Sequence, residues 1–182
     1  MKLLKNRAFA VVLLIIVFVV AGLTSVRSSL NEMSREVEVL FTSGENNDGD
    51  SISKNLEERT KLSYELIGIA KKYLEADDEA LVSLITARDI LNDAKTIKEK
   101  SAANLTLTEA IIDLNSALSA LDLEDKDAER REYLVLALDN ENDSIRTDIY
   151  NQKVNEFNKK LSTFPVSFLS VIVGVQPLDS FS

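Results

Sequence analysis

Histidine, cysteine and tryptophan are absent from the 182-residue chain, and their absence excludes several kinds of chemistry. Without histidine the chain cannot build a Ser-His-Asp triad, a histidine general base or a zinc site on an HExxH helix. Di-iron carboxylate bundles are excluded as well, because they need Glu-x-x-His pairs. Without cysteine there is no disulfide, no thiolate nucleophile and no acylated lipoprotein anchor. We therefore expect a protein that binds rather than catalyses, with no cofactor and no metal site.

Glycine and proline are scarce, which favours long helices over β turns. The chain has five glycines and two prolines, and both prolines lie in the last eighteen residues. Apolar residues recur at steps of three and four, the spacing that lines one face of a helix. Two such sets are Leu107, Ile111, Leu114, Leu118 and Leu121, and Tyr150, Val154, Phe157, Leu161 and Phe164. The pattern predicts an all-α protein, with about four long helices packed as an antiparallel bundle.

Polar segments punctuate this pattern and set the predicted helix bounds. The glycine-containing stretch 42–53 is typical of a linker, and Thr106 with Glu109 forms the S/T-x-x-E pattern of a capping box. A second polar break runs from Asp122 to Lys126. The predicted helices are 27–41, 55–95, 106–121 and 126–163, and the first is expected to continue out of the apolar segment that precedes it.

The apolar segment runs from Ala8 to Val26 without a charge. Nineteen helical residues span roughly 28 Å, close to the ~30 Å hydrocarbon thickness of a bilayer. Basic residues ahead of it favour a cytoplasmic N-terminus. We predict a cytoplasmic tail (1–7), a transmembrane signal-anchor helix (8–26), an extracytoplasmic helical domain (27–165) and an apolar C-terminal tail (166–182). A signal peptide cleaved after Ala21 is the alternative, and it leaves the body outside the cytoplasm too.

The chain is acidic, with a formal net charge of −9, and its first basic residues precede the apolar segment. An acidic body is repelled by phosphate backbones, so we expect no nucleic-acid partner. The acidic runs 77–79 and 124–129 are interpreted as helix starts, where carboxylates complement the helix dipole, and weak binding of Ca²⁺ or Mg²⁺ is the alternative. Residues 46–57 resemble a calcium-binding loop, but Ser51 stands where such a loop needs glycine, and a linker is favoured.

The end of the chain carries a pattern that resembles a known family. Tyr150-Asn151, Val154, Phe157-Asn158, then Phe164-Pro165 and the apolar run 166–175, look like the closing signature of the LemA family. The stretch 56–73 and Thr86-Ala87-Arg88 resemble the family's earlier block. The resemblance implies a bacterial protein with an N-terminal membrane helix and a helical extracytoplasmic domain. It implies an architecture and a location in the cell membrane rather than an activity.

Two groups of residues are candidates for binding a partner. Asparagines at 4-3 spacing follow Tyr150 along the last predicted helix, and apolar residues follow that helix. The candidates are Tyr150, Asn151, Asn155, Asn158, Phe164, Pro165, Phe168 and Leu169. For the asparagines the alternative is a solvated stripe. The apolar tail is too short to cross a bilayer, and it either folds back on the helices, docks on a partner or dips into the membrane surface.

Arg88 is a candidate buried polar residue, since it lies within an apolar helix face. A buried arginine needs a carboxylate partner, and the alternative is a head group that reaches water along the surface. The expected function is that of a scaffold or adaptor for other proteins of the cell envelope. A bundle that senses a small molecule and acts through a membrane partner is the alternative, and an enzyme using carboxylates and a metal is the least favoured hypothesis. The expected partners are the bilayer, through residues 8–26, an unidentified envelope or membrane protein, and a second copy of the chain as a further option.

Overall fold

The computed structural model describes residues 7–45 and 50–181. Most of the predicted cytoplasmic tail, the middle of the predicted linker and Ser182 lie outside these residues. The described residues are all-α, as predicted, and include no strand. The helices are α1 (Arg7–Ser43), α2 (Ile52–Ala70), α3 (Glu79–Asp93), α4 (Ile97–Ser119), α5 (Asp125–Thr147), α6 (Tyr150–Ser162) and α7 (Val166–Val173).

The first helix is continuous from the apolar segment into the residues beyond it, which confirms the expected continuation. It ends where Gly44 adopts a φ of 75°, a left-handed conformation that glycine reaches without steric cost. The Gly44 amide donates to the Leu40 carbonyl at 3.0 Å. On the far side of the linker, the buried Ser51 hydroxyl accepts from the Lys54 amide at 3.3 Å and donates to the Thr42 carbonyl at 3.1 Å. Ser51 thus caps α2 and ties it to the end of α1.

The chain divides into two compact units. Unit 1 combines Met1–Glu38 with Gln152–Leu178, and unit 2 combines Val39–Asn151 with Asp179–Ser182. In unit 1, the Lys160 ammonium on α6 lies 3.2 Å from the Met33 sulfur on α1. The predicted bundle belongs to unit 2, where helices α2 to α5 pack together.

Contacts between side chains give the helix directions in this bundle. Arg59 in α2 meets Leu138 of α5, and Lys72, just after the end of α2, meets Asp127 near the start of α5, so the two helices run antiparallel. Short connections join each helix to the next, as in an up-down bundle. These contacts confirm the predicted antiparallel bundle of about four helices. Its innermost side chains are Leu66, Leu81, Leu84, Leu107, Leu114, Leu118 and Leu134.

The predicted helix 55–95 is wrong as a single element, because residues 71–78 separate α2 from α3. Asp78 starts the second of the two helices. Its carboxylate accepts from the amides of Ala80 and Leu81, at 3.0 and 3.2 Å, and so caps a new helix. The interpretation of both acidic runs as helix starts is confirmed, since α3 begins at Glu79 and α5 begins at Asp125.

The predicted helix start at Thr106 is also wrong. The capping box is formed by Thr96 and Glu99, ten residues earlier. The Thr96 hydroxyl accepts from the Glu99 amide at 3.1 Å, and the Glu99 carboxylate accepts from the Thr96 amide at 2.9 Å. Thr106 lies inside α4 and donates its hydroxyl to the Ala102 carbonyl. The S/T-x-x-E spacing occurs at both Thr96 and Thr106, and of these two copies only the one at Thr96 has free amides to bond.

The predicted helix 126–163 breaks at Asp148, between α5 and α6. Asp148 has a φ of −61° and a ψ of 141°, which lies outside the helical region. Its carboxylate accepts from the Tyr150 amide at 2.7 Å. This side-chain bond gives the first turn of α6 a partner that a continuous helix would have supplied from its own backbone.

Candidate functional site

Tyr150, at the start of α6, is completely buried in unit 2. Its hydroxyl donates to the Asp179 carbonyl at 2.8 Å, and its ring packs edge-on against Phe41, with 5.4 Å between ring centroids. Phe181 packs on the same Phe41 ring at 6.0 Å. The tyrosine proposed for partner binding is therefore enclosed by the end of α1 and the end of the chain.

Two of the candidate asparagines bind the chain's own C-terminal segment. The Asn158 amide nitrogen donates to the Leu178 carbonyl, and its oxygen accepts from the Leu178 amide, both at 2.9 Å. Asn151 makes the same pair of bonds to Phe181, with 2.7 Å from the Phe181 amide to its oxygen. A side-chain amide carries one acceptor and one donor side by side, so each asparagine satisfies both backbone groups of one residue. Asn155, between them, is exposed.

These bonds hold Leu178 and Phe181, near the end of the chain, on side chains of α6. The amides of Asn151 and Asn158 are already occupied, so they do not offer a polar seam to a partner helix. Binding of a partner by the other candidates stays a prediction.

The short helix α7, in unit 1, buries one side and exposes the other. Ser170 and Val173 are buried, whereas Phe168 and Val171 are 64% and 77% exposed. Ile172 is exposed next to them, at the i, i+3, i+4 spacing that places three side chains on one helix face. We call Phe168, Val171 and Ile172 the α7 face. Phe164 and Pro165 are exposed just before it, and Leu169 is half-buried.

Arg88 is not the buried arginine of the bundle, which corrects the prediction. Its side chain is 20% exposed, pairs with neighbouring Asp89 at 2.6 Å, and lies 5.5 Å from the centre of the Tyr64 ring. The buried arginine is Arg59 on α2, which is 1% exposed. Arg88 lies at the edge of the buried face of α3. Its long side chain reaches the surface from there, which is the alternative that the sequence left open.

Arg59 is held by neutral groups rather than by a carboxylate. Its Nη1 donates to the Leu138 carbonyl at 3.3 Å and its Nη2 to the Thr108 hydroxyl at 2.8 Å. Within the described residues, Nε has no hydrogen-bond partner and no Asp or Glu forms an ion pair with the guanidinium. Burial lowers the pKa of Arg59 from its ordinary value to about 10, against the opposing attraction of Asp139 and Glu141. Arg59 therefore remains charged at neutral pH.

Arg59 lies in the wall of a groove of about 350 Å³ between α4 and α5. Ile111, Ile112, Val135 and Leu136 make its apolar sides. A second arginine, Arg131, also lines it. Its side chain is 14% exposed, its Nη1 donates to the Ser119 hydroxyl at 2.7 Å, and its Nε has no partner among the described residues.

Comparison with known proteins decides the family. The model of the LemA family matches residues 49–182, which include every helix from α2 to α7. The chain belongs to the LemA family. No curated protein and no solved structure matches the chain. In this LemA-family chain, the closing Tyr-Asn and Phe-Asn pairs that carry the resemblance have a folding role, since Tyr150, Asn151 and Asn158 all hold the C-terminal segment.

The LemA-family chain has one described helix that is long and apolar enough to cross a membrane, Phe9–Ser43. Large side chains along it, from Val11 to Val20, are exposed rather than packed against other residues. A helix that is apolar on all sides and unpacked suits a single-pass membrane anchor.

A cluster around Asp127 joins the segment just after α2 to the start of α5. The Lys72 ammonium lies 2.7 and 2.8 Å from the two Asp127 oxygens, and the Tyr73 hydroxyl donates to Asp127 at 2.8 Å. The hydrogen bonds from Lys72 and then Tyr73 lower the pKa of Asp127, and the bond to Asp127 raises the pKa of Lys72. With these bonds the carboxylate is engaged in holding the fold. The described residues contain no group of three or more Asp, Glu, His or Cys side chains arranged to hold a metal ion.

The sequence reasoning missed Arg59, although a signal for it exists. Leu56, Arg59, Ser63 and Leu66 follow one another at steps of 3, 4 and 3, and all four are buried. A charged residue in the core register of an amphipathic helix is the signal for a buried arginine.

Proposed function

We propose that this LemA-family chain is a membrane-anchored adaptor that docks another cell-envelope protein on the α7 face and performs no catalysis of its own. Helix α1 holds it in the membrane with its N-terminus in the cytoplasm, and the helical domain lies on the opposite side. The observation that carries the proposal is the exposure of Phe168 and Val171 on a short helix that buries Ser170 and Val173 on its other side.

The α7 face has the physical properties of a docking surface. Burying exposed apolar area releases about 25 cal/mol per Å², and monomeric proteins rarely leave contiguous large apolar side chains in water. Aromatic residues such as Phe168 are enriched in the centres of interfaces. Since Asn158 holds Leu178, a few residues beyond α7, the face belongs to a fixed element. A partner then loses less conformational entropy on binding than it would with a loose chain end.

The proposed orientation follows from charge. Basic residues before the apolar segment favour the cytoplasmic side, and the remainder of the chain has a net negative charge. An acidic body outside the cytoplasmic membrane approaches partners by its apolar face rather than by attraction to anionic head groups.

The test compares substitutions on and off the α7 face in the full chain. Phe168→Asp and Val171→Asp place a charge on exposed positions, so we expect helical content and melting temperature to be unchanged. Co-purification of a specific envelope protein should be lost in both variants. Val82→Asp, at an exposed position of α3, is the matched control and should retain it. Equal capture by all three variants would remove the α7 face from the proposal.

Point substitutions are the better test than deletion of residues 166–182. The deletion also removes Leu178, Asp179 and Phe181, which Asn158, Tyr150 and Asn151 hold. A deletion variant therefore confounds loss of a docking face with loss of folding.

The second candidate function is a helical bundle that senses a small molecule and signals through a membrane partner. One observation favours it, the groove beside the buried Arg59. The two functions use different residues and can be tested separately.

A further inference from the structure

The groove between α4 and α5 is lined by side chains that keep hydrogen-bond donors without a partner among the described residues. Two guanidiniums line it, Arg59 and Arg131, and each keeps an Nε–H that no described residue accepts. An arginine presents five N–H donors in a rigid fork that matches the two oxygens of a carboxylate or phosphate. Two of the Arg59 donors have partners, and both partners are neutral.

A buried charge without a counter-ion is costly, and proteins ordinarily pair it. Asp139 and Glu141 attract Arg59 from a distance, but neither bonds to it. The carboxylates that line the groove, Glu132 and Asp139, are exposed to water, which screens their charge. Glu132 pairs with the Nη2 of Arg131 at 3.7 Å, whereas Arg59 forms no ion pair with a described residue. An oxyanion entering the groove would therefore find its strongest attraction at the enclosed guanidiniums.

Arg131 lies on α5 about two helical turns from the point where Arg59 contacts that helix. Arg59 bonds to the Leu138 carbonyl, and Arg131 lies seven residues before Leu138 on α5, about 10 Å along the helix. Apolar side chains fill the interval, among them Ile111 and Val135. A ligand that meets a guanidinium must then lay an apolar part against these side chains.

The size of the groove limits the ligand. A volume of about 350 Å³ is at the small end of the range of ligand pockets, ~300–1,000 Å³. It suits a compact molecule and is too small for a protein segment with bulky side chains on several faces.

We propose that this groove is a binding site for a small oxyanion on a short apolar chain, a monocarboxylate or a phosphate monoester. The anionic group pairs with the guanidinium of Arg131 and is attracted by the buried charge of Arg59, and the apolar chain lies against Ile111 and Val135. The inference rests on the second candidate function, the sensing bundle, and is independent of docking on the α7 face.

The experiment is isothermal titration of the full-length chain in lipid nanodiscs, with empty nanodiscs as the blank. The probes are hexanoate and hexyl phosphate, with hexanol and hexylamine as matched molecules that lack the oxyanion. We expect binding in the millimolar range or tighter for at least one oxyanion, and none for hexanol or hexylamine at the same concentration. Comparing hexanoate with hexyl phosphate identifies which oxyanion the groove prefers.

Three variants locate the site. Arg131→Gln keeps most of the side-chain volume and should weaken binding about 10- to 150-fold, the effect of losing one charge-assisted bond. Arg59→Met replaces a buried charge by an apolar chain of similar length, which folds commonly tolerate, and should abolish binding. Arg130→Gln is the control, since its exposed guanidinium pairs with Glu65 outside the groove, and it should bind as the wild type does.

The proposal is overturned if neither oxyanion binds, if hexanol binds as well as hexanoate, or if Arg130→Gln and Arg131→Gln weaken binding equally. Circular dichroism checks the fold of each variant. If Arg59→Met unfolds, the comparison of Arg131→Gln with Arg130→Gln tests the location of the site. The two proposals fail separately. Phe168→Asp should leave hexanoate affinity unchanged, and loss of hexanoate binding in Arg131→Gln should leave capture of an envelope protein unchanged.

Discussion

Replacing Asn158 by alanine should release the chain end while leaving the bundle intact. The substitution removes both hydrogen bonds to Leu178, each 2.9 Å long. A hydrogen bond contributes about 0.5–1.5 kcal/mol net, so the pair contributes about 1–3 kcal/mol. Since Leu178 is only half-buried, water can reach its freed backbone groups, which keeps the cost within that range. The opened state should then become roughly 5- to 150-fold more populated.

Hydrogen exchange of the Leu178 amide, followed by mass spectrometry, measures this opening directly. In Asn158→Ala its protection should fall by that factor, while amides of α4 in unit 2 keep theirs. Asn155→Ala is the matched control, because Asn155 is an exposed asparagine of the same helix. The reasoning is refuted if Asn158→Ala and Asn155→Ala exchange alike at Leu178, or if Leu178 is unprotected in the wild type.

Three further predictions concern the bundle. Thr96→Ala should lower the free energy of unfolding by about 1 kcal/mol through loss of a helix cap, whereas Thr106→Ala should change it by less than about 0.5 kcal/mol in the same urea titration. The pKa of Asp127 is held below its ordinary 3.8, so its contribution to stability is present above about pH 4 and is lost as the pH falls through the lowered value. Asp127→Asn should therefore be less stable than the wild type at pH 7, and urea titrations should show that difference shrinking below pH 4. Leu114→Ala, at a fully buried position, should cost about 2–5 kcal/mol, against less than 1 kcal/mol for exposed Leu105→Ala, as thermal melting will show.

The helical class and the long first helix follow from patterns that local sequence carries. Apolar spacing of three and four along Leu107, Leu114 and Leu118 identifies a core face without any knowledge of its partner, and all three are buried. The uncharged run from Ala8 to Val26 is equally local. Helical periodicity predicts the first feature, and the length of an uncharged apolar run predicts the second.

The breaks between α2 and α3 and between α5 and α6 were harder to predict because no glycine or proline marks them. The helices that follow these breaks begin just after Asp78 and Asp148, whose carboxylates bond to nearby amides. Aspartate is also common on exposed helix faces, so its presence alone does not show that a helix ends there. The duplicated capping pattern at Thr96 and Thr106 is resolved only by which copy has free amides.

The sequence identified important residues of the candidate site, but it assigned them to a partner rather than to the chain's own C-terminal segment. Tyr150, Asn151 and Asn158 are important to the structure, but their partners are residues 20 to 30 positions later. Pairing across that separation depends on how α7 turns the chain, which helical periodicity does not encode. Exposure of Phe168 is likewise a tertiary property, since a buried tail would have the same sequence.

The most direct test of the adaptor places a photo-crosslinking residue at Phe168 of the full chain in its native membrane. The same residue at Tyr133, an exposed aromatic position on α5, is the matched control. The account predicts that position 168 captures one envelope protein repeatedly and that position 133 does not. Capture at position 168 of lipid alone, of the chain itself alone, or of the same proteins as position 133 would contradict it.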